Sequence, residues 1–248
     1  MKKSITALLS LFLSLSLSGQ RTTQRYSFDA NAGYYADAFD VEWTMPEGMV
    51  DLNASAVIRI RKEYRLAFCG GPVLRSEDEE CVLMYKSYPL FISENLHKSI
   101  GGISNDQAHR NLISSELGTV HGYCDELGRL LSGKTFPFDE YVSAFPEEQA
   151  REWFNADSVF VYDLPVDDPY RGIYNHCTGV VITKKGRTGF ALKLYFTDEG
   201  KKNEKRYMQS LRKAIWYRDS DWKYDRENNK QADLKYLQII IDKRKKTK

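Results

Sequence analysis

Cys177–Arg218, CTGVVITKKGRTGFALKLYFTDEGKKNEKRYMQSLRKAIWYR, decides the fold, because a two-residue period gives way there to a 3.6-residue period across a short acidic joint. Phe190, Leu192, Leu194 and Phe196 alternate with Ala191, Lys193, Tyr195 and Thr197, which predicts a half-buried strand. Val180-Val181-Ile182-Thr183 precedes it, and Lys185-Gly186-Arg187-Thr188-Gly189 supplies the glycines of a tight reversal, so the two segments read as an antiparallel hairpin. Thr197 or Asp198 then suits a helix N-cap, with Asp198, Glu199 and Glu204 near the positive end of the dipole. Tyr207, Met208, Leu211, Ala214 and Ile215 form one apolar stripe and predict a helix laid across the sheet. Leu192 and Leu194 of the strand are expected to meet Leu211 and Ile215 of that helix in one core.

Upstream, Phe39, Val41 and Trp43 alternate with Asp40 and Glu42, predicting a strand within the aromatic-rich segment Tyr26–Trp43. Ile58, Ile60, Tyr64, Leu66 and Phe68 keep one parity, with Lys62 where a turn would fall; Arg59, Arg61, Glu63 and Arg65 then form the solvated side of a one-faced sheet. Ser76–Glu80 is an acidic turn and Cys81–Tyr85 a short apolar strand. Beyond Gly101-Gly102, the spacing of Ala108, Leu112, Ile113, Leu117, Val120, Cys124, Leu127 and Leu131 predicts a helix. A second helix is expected from Pro146 with Trp153-Phe154 at its buried end. Ser158–Leu164 reads as a strand and Asp167-Asp168-Pro169 as a turn. The class is α+β, a mostly antiparallel sheet with helices packed on it and a helical insertion around 104–154.

Lys2 and Lys3 followed by the apolar run Ile5–Leu17 and small residues at Ser16, Ser18 and Gly19 have the pattern of a secretory signal peptide, residues 1–19. Its apolar run would span only about 20 Å against a hydrocarbon core of about 30 Å. The expectation is an exported protein, periplasmic or secreted, with one α+β domain over 20–242 and a basic disordered tail, Lys243–Lys248. With 36 Lys and Arg against 34 Asp and Glu, interspersed, nucleic acid is not an expected partner. The tail alone could make weak contact with anionic membrane.

Four cysteines in an oxidising compartment favour disulfides and permit three pairings. Cys69 and Cys81 flank a short Gly70-Gly71-Pro72 segment and are the preferred pair, leaving Cys124 with Cys177. The alternative use of these thiols is chemical. His121, Cys124 and Asp125 share a helical face, and with His176 and Cys177 they could form a metal site or a Cys/His nucleophile pair. Adjacent strand residues such as His176 and Cys177, however, point to opposite faces. Gly128–Thr135 matches the P-loop pattern without the strand–loop–helix context that makes it a phosphate cradle. Asp157, Asp163, Asp167 and Asp168 lack the ligand order of a calcium loop and read as turn acids. No convincing catalytic set, cofactor motif or metal-ligand spacing emerges.

Gly179–Ile182, Phe190–Gly200 and Tyr207–Ile215, in that order, resemble the end of PsbP-like domains, an antiparallel sheet sandwiched by helices whose last helix crosses the sheet after a hairpin. Phe39–Tyr85 is compatible with that family's opening strands, and Ile92–Phe154 would be the helical insertion. The resemblance implies a non-catalytic accessory or binding subunit and carries no catalytic residue. The expected function is therefore a non-enzymatic protein that binds another protein or an envelope component. Tyr34, Tyr35, Trp216, Tyr217 and Trp222 are candidates for its contact surface. The alternative is a secreted hydrolase using Cys124 or Cys177 with His121 or His176.

Overall fold

The structure is a computed structural model that describes residues 27–61, 66–85, 142–164, 166, 169–187, 189–218, 221–223, 225, 227–228, 231–236 and 238, with backbone alone at 55–61 and 66–72. In chain order the elements are α1 (Phe28–Phe39), β1 (Val41–Trp43), β2 (Met49–Arg61), β3 (Leu66–Ser76), β4 (Cys81–Tyr85), β5 (Ser143–Ala144), α2 (Glu147–Phe154), β6 (Ser158–Leu164), β7 (His176–Thr183), β8 (Phe190–Phe196), α3 (Asp198–Lys202), α4 (Glu204–Ser210) and β9 (Ile215–Tyr217). Residues 231–236 are also helical. The class is α+β, as the alternation of periods predicts. The residues read as a signal peptide, the basic tail and the P-loop-pattern residues, and the helix expected around Ala108–Leu131, lie outside the described residues.

The predicted hairpin is the middle of an antiparallel seven-stranded sheet of order β2-β3-β4-β8-β7-β6-β5. β8 pairs with β7 through Val180↔Leu192 and with β4 through Leu83↔Leu194, so a strand distant in sequence closes against its other edge. Gly186, at φ +72, makes the reversal, and the Arg187 N–H returns to the Lys184 carbonyl at 3.0 Å. β2 and β3 pair antiparallel as far as Arg61↔Leu66, and the turn expected near Lys62 lies outside the described residues. Of the predicted insertion only 142–154 is described, and it holds the two-residue edge strand β5 as well as α2.

Two apolar clusters form on the sheet's two faces. The larger takes Leu83, Val180, Ile182, Phe190, Leu192, Leu194 and Phe196 from the strands and is completed by residues of α1, α2 and α4. The smaller contains Val82, Met84, Tyr162, Cys177, Val181 and Tyr195. β8 is therefore buried on both sides and not half-buried as its alternation predicts. Lys193 sits on the second face at 2% exposure, its ammonium donating to the Tyr162 hydroxyl at 2.8 Å and lying 4.7 Å from that ring's centre. The Tyr162 ring lies over Gly179, where a Cβ would fall 2.5 Å from it.

Two element predictions are corrected. The aromatic segment before Val41 is the helix α1, and only Val41–Trp43 is strand. Ser27 caps it by accepting from the Ala30 N–H, and Asp40 ends it in the left-handed region at φ 53. Phe28, Tyr34, Tyr35, Ala38 and Phe39 are its buried stripe. Aromatic content is a β signal locally, and here the cap and the i, i+3, i+4 spacing prevail. The second correction is at the C-terminal end. The predicted helix stops at Ser210, Lys213 turns the chain at φ 61 with its N–H on the Trp153 carbonyl at 2.7 Å, and Ile215–Tyr217 pair with β1 as Trp43↔Ile215 and Val41↔Tyr217. The stripe is still buried at every position, Leu211 and Ile215 at 1%. Both join Leu192 and Leu194 in the larger cluster.

Two stability measurements check this packing. Leu211→Ala should cost about 2–5 kcal/mol and Arg212→Ala, at an exposed ion pair with Glu152, no more than about 0.5 kcal/mol; equal denaturant midpoints for the two would contradict the core. Gly200→Ala tests the seating of α3 on β4. Glycine to alanine ordinarily favours a helix by roughly 1 kcal/mol, yet a Cβ at Gly200 would stand 2.1 Å from the Glu80 carbonyl oxygen, which is itself held by the Thr197 N–H at 3.1 Å. The variant should lose about 1–3 kcal/mol, and a raised midpoint would show that α3 is not seated there.

Candidate functional site

Inward parity on the larger-cluster side places Val161 and Asp163 of β6 beside Thr178 of β7. α2 overhangs this floor from one side with Gln149 and Trp153, and α4 from the other with Glu204, Lys205, Met208 and Gln209. Ser143 and Phe145, at the sheet's edge, close the end. The result is an open cleft of about 440 Å³. Its apolar wall is a Phe145–Trp153 edge-to-face pair with centroids 5.4 Å apart, both rings partly exposed.

The polar end is a connected network. Thr178, 1% exposed, donates its hydroxyl proton to Glu204 Oε1 at 2.5 Å and accepts from the Lys201 ammonium at 3.1 Å. Lys201 also reaches Asp163 Oδ1 and Glu204 Oε2, each at 2.8 Å. Burial lowers the lysine's pKa, but the hydrogen bonds it donates to Asp163 and Glu204 outweigh it and the net shift is upward. Lys201 is therefore held charged, a counter-ion and not a nucleophile. On the opposite flank of α4 the Asp78 carboxylate accepts from Arg206 and from the Tyr207 hydroxyl. Burial raises its pKa, and hydrogen bonds from Ser76 and Arg206 overcome that and bring it to about 2. α4 is thus pinned from both sides.

The sequence-predicted residues do not converge. Cys177 is buried in the smaller cluster, where burial pushes its thiol up to about 12. His176 points the other way and pairs with Asp198 at 2.8 Å at the surface. These two are not assembled into a nucleophile pair, as their strand parity requires; His121 and Cys124 lie outside the described residues. No disulfide is present among the described residues, and Cys124, one partner of the second expected pair, lies outside them. Cys81 and Cys177 are free thiols, on opposite faces of the sheet. The β3–β4 register brings Cys81 beside Ser76, and Cys69 lies farther along β3, about 20 Å away at roughly 3.3 Å per residue, beyond the ~7 Å Cα reach of a bridge.

Tyr34, Tyr35 and Tyr217, proposed as contact surface, are core residues, and Trp216 and Trp222 are half-buried. Of the turn acids, Asp163 belongs to the cleft and Asp157 accepts from the Lys185 N–H at 2.7 Å; Asp167 and Asp168 lie outside the described residues. The side chains of Arg59, Arg61, Glu63 and Arg65 also lie outside them. The cleft residues come from separated elements, and those the sequence singles out, Trp153, Asp163, Glu204 and Met208, read as a buried helix end, a turn acid, a helix-start acid and a core stripe and not as one site. Among the described residues no helix is long and apolar enough to cross a membrane, and no three His, Cys, Asp or Glu side chains gather as a cation site. No family model, curated protein or solved structure matches the chain.

Cysteine-resolved alkylation of the native protein, read by mass spectrometry, should leave Cys81 and Cys177 unmodified near neutral pH, because burial raises both thiol pKa values; denaturant should expose them. Rapid native labelling of Cys177 would restore the nucleophile reading.

Proposed function

We propose that the protein is an exported, non-enzymatic binding protein whose cleft between α2 and α4 engages another protein or an envelope component. The observation that carries this reading is the Phe145–Trp153 wall, aromatic surface left partly open beside a floor where buried Thr178 meets half-buried Val161 and exposed Asp163. Concave sites that combine apolar walls with a few convergent polar groups are where ligands and anchoring side chains bind. The Thr178–Glu204–Lys201–Asp163 network supports the same reading, since its charges answer one another and hold the walls in place. The hydrolase alternative has less support, with Cys177 buried and His176 on the other side of the sheet. Export rests on the N-terminal lysines and apolar run.

Immobilised protein incubated with envelope extract provides the test. The wild type should retain a component that Trp153→Ala, checked for an unchanged circular dichroism spectrum, retains at least about tenfold less. Equal retention by both proteins would remove the cleft from the function.

A further inference from the structure

Resting on that reading, we infer that the cleft takes an uncharged saccharide, seated with the C–H face of a sugar ring on Trp153 and Phe145 and its hydroxyls on the surrounding amides and carboxylate. The first argument is charge. Lys201 pairs with both Asp163 and Glu204, and Lys205 lines the rim without an ion pair among the described residues, so the four charges sum to zero and offer little net field with which to select an ion.

The second argument is the inventory of unused hydrogen-bonding groups. Among the described residues the side chains of Gln149, Lys205 and Gln209 line the cleft and engage no partner, and Asp163 Oδ2 is also unengaged there. A carboxamide presents an acceptor and two donors in one plane, which suits neighbouring hydroxyls that each donate and accept. A pyranose has an apolar face and a rim of such hydroxyls, and the cleft has an aromatic wall and a rim of amides. Its volume of about 440 Å³ also lies within the roughly 300–1,000 Å³ of small-ligand sites.

A peptide is the competing occupant, and the adjacent sheet edge argues against it. Strand addition needs a row of free backbone groups. β5 offers two residues and is followed closely by Pro146, which has no N–H. The edge is too short to carry a ladder, so a peptide would have to bind by side chains alone.

Titration of the full protein with cellobiose, maltose and N,N′-diacetylchitobiose, followed by tryptophan fluorescence at low and high salt, decides the matter. At least one disaccharide should give a saturable change whose midpoint is independent of salt, because no ion pair is formed. Trp153→Ala and Gln209→Ala should each weaken it at least about tenfold, and Trp153→Phe should keep most of the affinity. Gln209 is exposed, so its variant reports even if Trp153→Ala fails to fold. The inference is overturned if none of the three saturates the signal, if binding falls with salt, or if it survives both alanine substitutions. Failure of all three sugars while envelope capture still depends on Trp153 would remove the saccharide and leave the cleft; independence of both from Trp153 would remove the cleft as well.

Discussion

The buried guanidinium of Arg187 fastens three distant parts of the chain. It stands at the β7–β8 turn, and its Nη2 donates to the Phe39 and Asp40 carbonyls at 3.0 and 2.7 Å while Nη1 reaches the Arg218 carbonyl at 3.4 Å. Those acceptors are the end of α1 and the residue just past β9. A helix leaves its last carbonyls unsatisfied and carries partial negative charge there, so one cation meets both requirements. Burial lowers the arginine's pKa and Asp40 opposes the shift; Trp222, 4.9 Å from the guanidinium carbon, covers the flat face. Hydrogen bonds to a charged donor are worth about 1.5–3 kcal/mol each when their partners are kept from water. With the central hairpin, α1 and β9 fixed together, the β1–β9 ribbon has a defined place and the chain before it must turn where Lys213 does.

That turn positions the cleft. Lys213 donates its N–H to Trp153, Asn155 donates its side-chain amide to the Tyr217 carbonyl at 2.6 Å, and α2 is thereby tied to β9. α4 has only seven residues, too short to be helical by itself in water. It is held by Lys201 and Thr178 on one flank and by Asp78 on the other, with Tyr207, Met208 and the following Leu211 buried beneath it. The two cleft walls are thus separate elements fixed to one sheet by main-chain and ionic contacts. A site built in that way loses little freedom on binding, which is the main saving a preformed cleft offers its ligand.

The sequence reading recovers those elements whose burial is periodic and local. β6, β8, the β7–β8 turn and the Thr197 cap all follow from alternation, glycine placement or a capping side chain. Its two main errors share a physical cause. In both, one period is carried past its end: the alternation that rightly marks Val41–Trp43 is extended back over the helix α1, and the helical stripe is extended over Ile215–Tyr217, a three-residue strand that exists because it pairs with Val41–Trp43. The helical stripe Leu211–Ala214–Ile215 is buried as predicted even though the helix has ended, because a turn and a strand can present the same residues to the same core. Lys193 shows the limit of the two-residue period: a lysine at an outward position argues for solvent, and only tertiary packing reveals a buried second face. The cleft was less legible than the fold, since Phe145, Trp153, Asp163, Thr178 and Met208 come from separate elements and no local spacing links them.

The expectation of export carries with it an expectation of disulfide staples, and the packing indicates what holds the described core together. Phe28, Tyr35, Trp43, Tyr85 and Phe190 form a continuous set of ring contacts, with Trp43–Tyr85 at 4.4 Å and Tyr35–Phe190 at 4.7 Å, linking α1, β1, β4 and β8. Small exported domains need cross-links when they cannot bury enough apolar surface. Here large rings from four elements meet in one layer, and each ring pair adds roughly 0.5–1.5 kcal/mol beyond its buried area. Cys81 and Cys177 then behave as small apolar side chains, one under each face of the sheet, and β4 and β7 are joined through β8 by hydrogen bonds and rings with no bond between their thiols.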